Sequence, residues 1–192
     1  MPPRLVAPAA ALLLWVLPGA ASPASLAAML PANGRFEFRV PSLSGGYLSS
    51  EDFKGKIVIL DVWATWCSPC RLVIPHLIKM QDKLKAKGVA VVGLSADDMS
   101  EDGQGLEPIK EFVKENRINY PIGMMDGDTF MRIMSLTGAD SGEAFTIPTT
   151  LILDRAGGVL KTYTGYFKGQ EQEIEALVNG IITSEAEPRK KP

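Results

Sequence analysis

The clearest hydrophobic pattern in the chain is the run Ile57-Val58-Ile59-Leu60-Asp61-Val62-Trp63-Ala64-Thr65, apolar and rich in β-branched residues, which reads as a strand buried on both faces. The spacing then changes. Val73, Leu77, Met80 and Leu84 recur every three or four residues, which predicts an amphipathic helix. Pro75 falls inside it, expected to kink rather than end the helix, and Gly88 supplies a stop. Val89–Leu94 is a second buried strand, followed by a polar, acidic loop over Ser95–Gly105. Leu106–Asn116 reads as a helix with Ile109, Phe112 and Val113 inward, and Tyr120-Pro121-Ile122 as a short extended piece. A helix follows over Asp128–Leu136, capped by Asp126 or Asp128, and then an unstructured excursion over Gly138–Ala144. Thr146–Asp154 and Val159–Thr164 form a hairpin about Asp154-Arg155-Ala156-Gly157-Gly158. Gly169–Thr183 closes with a helix carrying Ile174, Leu177, Val178 and Ile181 on one face.

Ahead of this block, Phe36-Glu37-Phe38-Arg39-Val40 alternates as a half-buried strand does, and Gly45-Gly46 before Tyr47-Leu48 predicts a hairpin. Strand, helix, strand, two more helices, a hairpin and a last helix make an α/β layout, with helices on both faces of one mixed sheet.

The ends read differently. Residues 1–21 read as a secretory signal peptide: Arg4, the apolar run Ala9–Leu17, then the small residues Pro18-Gly19-Ala20-Ala21. That run is short for a membrane span of about 20 residues, and an uncleaved N-terminal anchor is the alternative. Residues 22–34 form a linker, 35–184 one domain and 185–192 a charged, disordered tail. Export places the domain in a compartment where disulfides persist.

At 192 residues and 46% hydrophobic, the chain can bury one substantial core. A net charge of −2 without a basic stripe argues against nucleic acid as a partner. One histidine and two cysteines cannot make a four-ligand zinc site unaided, so neither metal nor cofactor is called for.

Those two cysteines carry the chemistry. Trp66-Cys67-Ser68-Pro69-Cys70 lies where the buried strand gives way to the helix, and there the helix dipole and unpaired N–H groups favour a thiolate over a thiol. A two-residue gap places the cysteines one helical turn apart. A stabilising staple gains more from closing a long loop, which favours a redox pair over a structural disulfide. Asp61 is a carboxylate in an apolar strand, expensive to bury ionised, so a raised pKa and a proton relay to Cys70 are expected. The competing reading is a hydrogen bond to nearby backbone or to Lys56. Trp66 is expected to shield the disulfide and contribute to docking, Trp63 to lie in the core, and His76 to lie on the helix surface or in packing. Gly165 either lets a substrate backbone approach or is a turn glycine. Met124, Met125 and Met131 read as core or loop filler.

Three motifs in order, Trp66–Cys70, Pro75 and Ile147-Pro148-Thr149, resemble thioredoxin. The Phe36–Lys56 lead-in and the Ser95–Leu136 insertion resemble the exported TlpA/ResA-like branch, with its redoxin-type domain, over residues 35 to 183. The resemblance implies a thioredoxin-like fold with an N-terminal β-hairpin extension. It implies Cys67 as the exposed attacking thiol, Cys70 as the buried resolving thiol and a cis Ile147–Pro148 bond, with the Ile147 backbone beside Cys67 for a substrate strand to pair with. Asp61 matches thioredoxin's buried acid. Relatives in the exported branch carry an acid after the second strand, where Asp97 and Asp98 stand here, Asp98 the nearer match.

The expected function is thiol–disulfide exchange on cysteine-containing protein substrates, most simply as a reductant. The resemblance implies a place in the bacterial cell envelope or periplasm, substrates such as apocytochrome c or copper-site cysteines, in cytochrome c biogenesis for example, and a membrane thiol-reductant donor. A peroxidase needs Pro, Thr four residues on and Cys three further. Before Cys67 those positions hold Leu60 and Ala64, and before Cys70 Trp63 and Cys67, so that motif fails. A copper metallochaperone and a non-enzymatic redox-sensing binding module stay open as alternatives.

Overall fold

The computed structural model describes residues 34–97, 105–139 and 144–186. Strand β3 (Ile57–Trp63), the apolar run of the sequence, is buried at every position and sits at the centre of a five-stranded sheet. Beside it on one side runs β4 (Val89–Ser95), parallel, and on the other β6 (Thr149–Leu153), antiparallel. Parallel β5 (Ile122–Met124) and antiparallel β7 (Val159–Thr164) complete the order β5-β4-β3-β6-β7. A separate two-stranded ladder, β1 (Arg39–Pro41) with β2 (Tyr47–Ser49), turns through Gly45 and Gly46.

The helices are α1 (Cys70–Leu84), α2 (Leu106–Glu115), α3 (Gly127–Thr137) and α4 (Gln170–Ala186). Two parallel crossovers, β3-α1-β4 and β4-α2-β5, step across the sheet in the same direction. The right-handed rule therefore puts α1 and α2 on one face. Phe112 of α2 stacks on Trp63 at 5.2 Å between ring centroids, and Asn119 Nδ2 donates to Ile78 O of α1 at 3.3 Å. α4 joins them, its Glu175 ion-paired with Lys83 of α1. The opposite face carries the β1–β2 hairpin and α3. There a Cβ at Gly123 would lie 2.5 Å from Val40 Cγ2, so the hairpin rests directly on β5. Arg132 of α3 reaches the Glu37 carbonyl at 3.3 Å.

Several boundaries differ from expectation. The first strand starts at Arg39 rather than Phe36. Phe36 and Phe38 alternate into the core, but the backbone there bonds to the 157–158 turn (Phe36 N–H to Gly157 O, 2.8 Å) before it joins β2. The stretch expected only to lead into β3 contains a 3₁₀ turn, Ser50–Phe53, closed by a capping box between Ser49 and Asp52. Asp126 is the cap of α3, its carboxylate accepting from Thr129 N–H at 2.8 Å, so that helix begins at Gly127. Helix α4 continues past Thr183 to Ala186, and Glu185 meets Arg155 at 2.7 Å. Met124 and Met125 are core, whereas Met131 faces outward on α3. The signal peptide or anchor of residues 1–21, nearly all of the linker, and residues 187–192 of the expected tail lie outside the described residues.

Candidate active site

Strand β3 ends at Trp63, and the chain crosses to α1 through Ala64–Pro69. The N-cap residue of α1, Pro69, is already helical and makes no capping bond of its own. The first turn of a helix leaves N–H groups without intrahelical partners. Here the Cys70 N–H points at Cys67 Sγ, 3.2 Å away. The sulfur of Cys67 thus occupies the place of a capping acceptor, where the helix dipole stabilises negative charge. Cys67 and Cys70 are joined as a disulfide with Cα atoms 5.3 Å apart.

The pair is asymmetric in exposure. Cys70 is sealed, while Cys67 keeps 4% of its surface beside Trp66, which is 59% exposed. Cys67 is therefore less open than expected; only a narrow edge of it reaches the surface, because the Ala64–Pro69 loop folds back through Cys67 N–H to Ala64 O at 3.1 Å.

Asp97 holds that loop. Its carboxylate, 4% exposed, accepts from the Thr65 N–H at 3.0 and 3.1 Å, from the Thr65 hydroxyl, and from the Ser95 hydroxyl at 2.5 Å. Arg71 donates to Thr65 O at 2.8 Å from the other side and lies over the Phe112 ring. The sequence pointed to Asp98 as the nearer acid; Asp98 lies outside the described residues, and the anchored acid is Asp97. Its one signal in the sequence was its place two residues beyond the end of β4.

Asp61 is fully buried on β3, registered against Gly93 of β4 and Thr150 of β6. The Thr150 hydroxyl donates to Oδ1 at 2.7 Å, in place of the Lys56 or backbone contact considered from sequence. Burial outweighs that bond and raises the carboxyl pKa from 3.8 to about 7. Asp61 shares with Trp63 and Gly93 the sheet face that α1 and α2 cover, the face on which Cys70 starts α1.

The Ile147–Pro148 bond is cis, and Ile147 packs against the core. Gly165 lies beside it, donating its N–H to Pro148 O at 2.7 Å. At φ +73° this position favours glycine. Trp63 is core, as expected. His76, six residues along α1 from Cys70, pairs with Glu171 of α4 at 3.8 Å. Among the described residues, no group of three His, Cys, Asp or Glu side chains could hold a metal ion.

Comparison with known proteins agrees with this geometry. The Redoxin family model matches residues 35–178. The thiol-disulfide oxidoreductase ResA of Bacillus thuringiensis subsp. konkukian is 30% identical over 144 residues, 75% of this chain and 74% of that protein. ResA of Bacillus subtilis is 27% identical over 128 residues, covering 67% and 64%. Among solved structures, a thioredoxin-family thiol:disulfide interchange protein from Chlorobium tepidum superposes with a TM-score of 0.62 at 26% identity, over 78% of this chain and 95% of that one. A secreted thiol-disulfide isomerase from Corynebacterium glutamicum gives 0.64 at 25% identity, over 78% and 85%. The chain belongs to the Redoxin family, as a thioredoxin-fold thiol-disulfide oxidoreductase of the TlpA/ResA-like kind.

Proposed function

We propose that the protein is an exported reductant of specific protein disulfides. The Cys67 thiolate attacks one sulfur of a substrate disulfide; the other leaves as a thiolate and takes up a proton. Cys70 then gives up its proton, attacks Cys67 and expels the second substrate sulfur. The substrate gains two electrons and the enzyme ends as the Cys67–Cys70 disulfide, to be reduced again by a thiol donor at the membrane. The observation that carries this reading is the arrangement at the start of α1, where Cys67 meets the surface as helix cap and Cys70 is sealed beneath it.

Asp61 is the proton acceptor for Cys70 on this reading. Its raised pKa near 7 lets it take a proton and return it under ordinary conditions, supported by its place on the face that α1 covers. Ile147, held by the cis bond to Pro148, offers its backbone to an extended substrate segment, with Trp66 as the exposed contact. The reductive direction is supported by Ser68 and Pro69 between the cysteines, neither of which adds a positive charge to hold the thiolate. Haem-attachment cysteines of apocytochrome c and copper-site cysteines are the substrate classes proposed. His76 stands ~9 Å along α1 from Cys70, so the geometry gives a copper-carrying role no support.

The test is to express Cys70→Ser in the native compartment, where Cys67 should accumulate disulfide-linked partners. No adduct, or a reduction potential of the unaltered protein far above about −200 mV, would overturn the reading.

A further inference from the structure

Beneath α1 and α2, three buried polar atoms have no hydrogen-bond partner among the described residues: Asp61 Oδ2, Trp63 Nε1 and the Tyr120 hydroxyl. Two of them stand on β3 and the third precedes β5, yet one position gathers them. Gly93 is registered beside Asp61 and carries no side chain. A Cβ there would lie 2.8 Å from Trp63 Nε1 and 3.2 Å from Tyr120 Cε2. The bare glycine lets the indole and the phenol lean onto the sheet at the position registered beside Asp61. The Tyr120 phenol feels the neighbouring charge, its pKa pushed well above the ordinary value by burial and then by Asp61.

Buried polar groups are seldom left unpaired, and clustered ones of this kind are met by ordered water. We infer that Tyr120 and Trp63 are positioning residues, which present their O–H and N–H to the free oxygen of Asp61 through a shared buried water and so favour its ionised form. Asp61 then has donors on both oxygens, Thr150 on one and the water on the other. The groups facing it from the neighbouring elements are Thr150 on β6, Tyr120 ahead of β5 and the uncharged Gly93 on β4; α1 brings Cys70 in its first turn. Tyr120 is thus the second titratable side chain beside Asp61, and its hydroxyl sets the pH at which Asp61 can accept a proton. The inference rests on Asp61 being the proton acceptor only for its consequence in turnover.

The experiment compares the full chain with Tyr120→Phe, which removes one oxygen and leaves the ring. The Asp61 carboxyl is followed directly by its infrared carbonyl band as pH is varied, and thermal unfolding checks that the fold is kept. The Asp61 midpoint is expected to rise by about one pKa unit in the variant, a tenfold change in ionisation. An unchanged midpoint overturns the inference. A high-resolution crystal structure of the unaltered protein should show a water within hydrogen-bond distance of Asp61 Oδ2 and Tyr120 Oη, and a dry site would likewise overturn it. If the midpoint moves while the pH profile of disulfide exchange stays fixed, the water site stands and the proton-acceptor role of Asp61 falls.

Discussion

A carboxylate that titrates near 7 inside a sheet leaves a mark on stability. Asp61 has its folded pKa raised above the unfolded value of 3.8, so between about pH 4 and about pH 7 the folded oxidised protein binds more protons than the unfolded chain. Stability should therefore fall as pH rises through that window and level off above it. A rise to about 7 corresponds to a penalty on the order of 4 kcal/mol above the window. Asp61→Asn should remove the slope and leave the protein more stable at alkaline pH, with slower disulfide exchange; denaturant titrations on both sides of the window decide it. Substitution at Asp97 is expected to destabilise instead, through lost hydrogen bonds. Asp97→Ala would strip the Thr65 N–H and hydroxyl of their acceptor and should cost about 1–3 kcal/mol. It should also slow exchange, because the loop that delivers Cys67 loses its anchor. Retained exchange kinetics in a destabilised Asp97→Ala would limit that residue to a structural role.

Among the elements, what could be read from the chain is what burial alone decides. β3 and β4 are covered on both faces, by α1 and α2 on one and chiefly by the lead-in hairpin on the other, so their continuous apolar runs translate directly into buried strands. α1 survives Pro75 because its apolar stripe, Val73 to Leu84, packs over the sheet and against α4. The lead-in was harder to read. Phe36, Phe38 and Val40 alternate inward for packing reasons, while the backbone changes hydrogen-bond partners midway, and side-chain periodicity carries no information about that change. Adjacent acids are equally opaque: Asp97 and Asp98 look alike in sequence, and the tie from Asp97 to Thr65 depends on a loop 32 residues earlier. Nor does the sequence indicate that Gly93 and Gly123 are sites of close approach on opposite faces of the sheet. Gly123→Ala would drive a methyl to within 2.5 Å of Val40 Cγ2. It should cost about 1–3 kcal/mol and loosen the β1–β2 hairpin, while disulfide exchange is retained, since the hairpin and the cysteines lie on opposite faces. Proteolysis near Gly45-Gly46 together with an exchange assay would check both halves of that expectation.

At the scale of the whole molecule, the reactive end is assembled from distant parts of the chain. β3 and α1 supply the carboxylate and the cysteines, β4 runs out to Asp97, and β6 brings Thr150 and the cis Pro148 from some 80 residues further on. The cysteine motif was plain from sequence because its residues are contiguous, whereas the convergence of Asp61, Trp63 and Tyr120 depends on how β4 carries its glycine between them. The start of α1, where Cys67 Sγ stands as the capping acceptor, adds a consequence in time. The acceptor for the Cys70 N–H is the atom whose charge changes at each half-reaction: thiolate when the enzyme is reduced, neutral sulfur when bonded to substrate or to Cys70. Helix order at that turn should therefore rise and fall with the catalytic cycle. Hydrogen exchange at the Cys70 amide should be slower in the reduced protein, above the pKa of Cys67, than in the oxidised one, so a single backbone proton keeps count of the electrons.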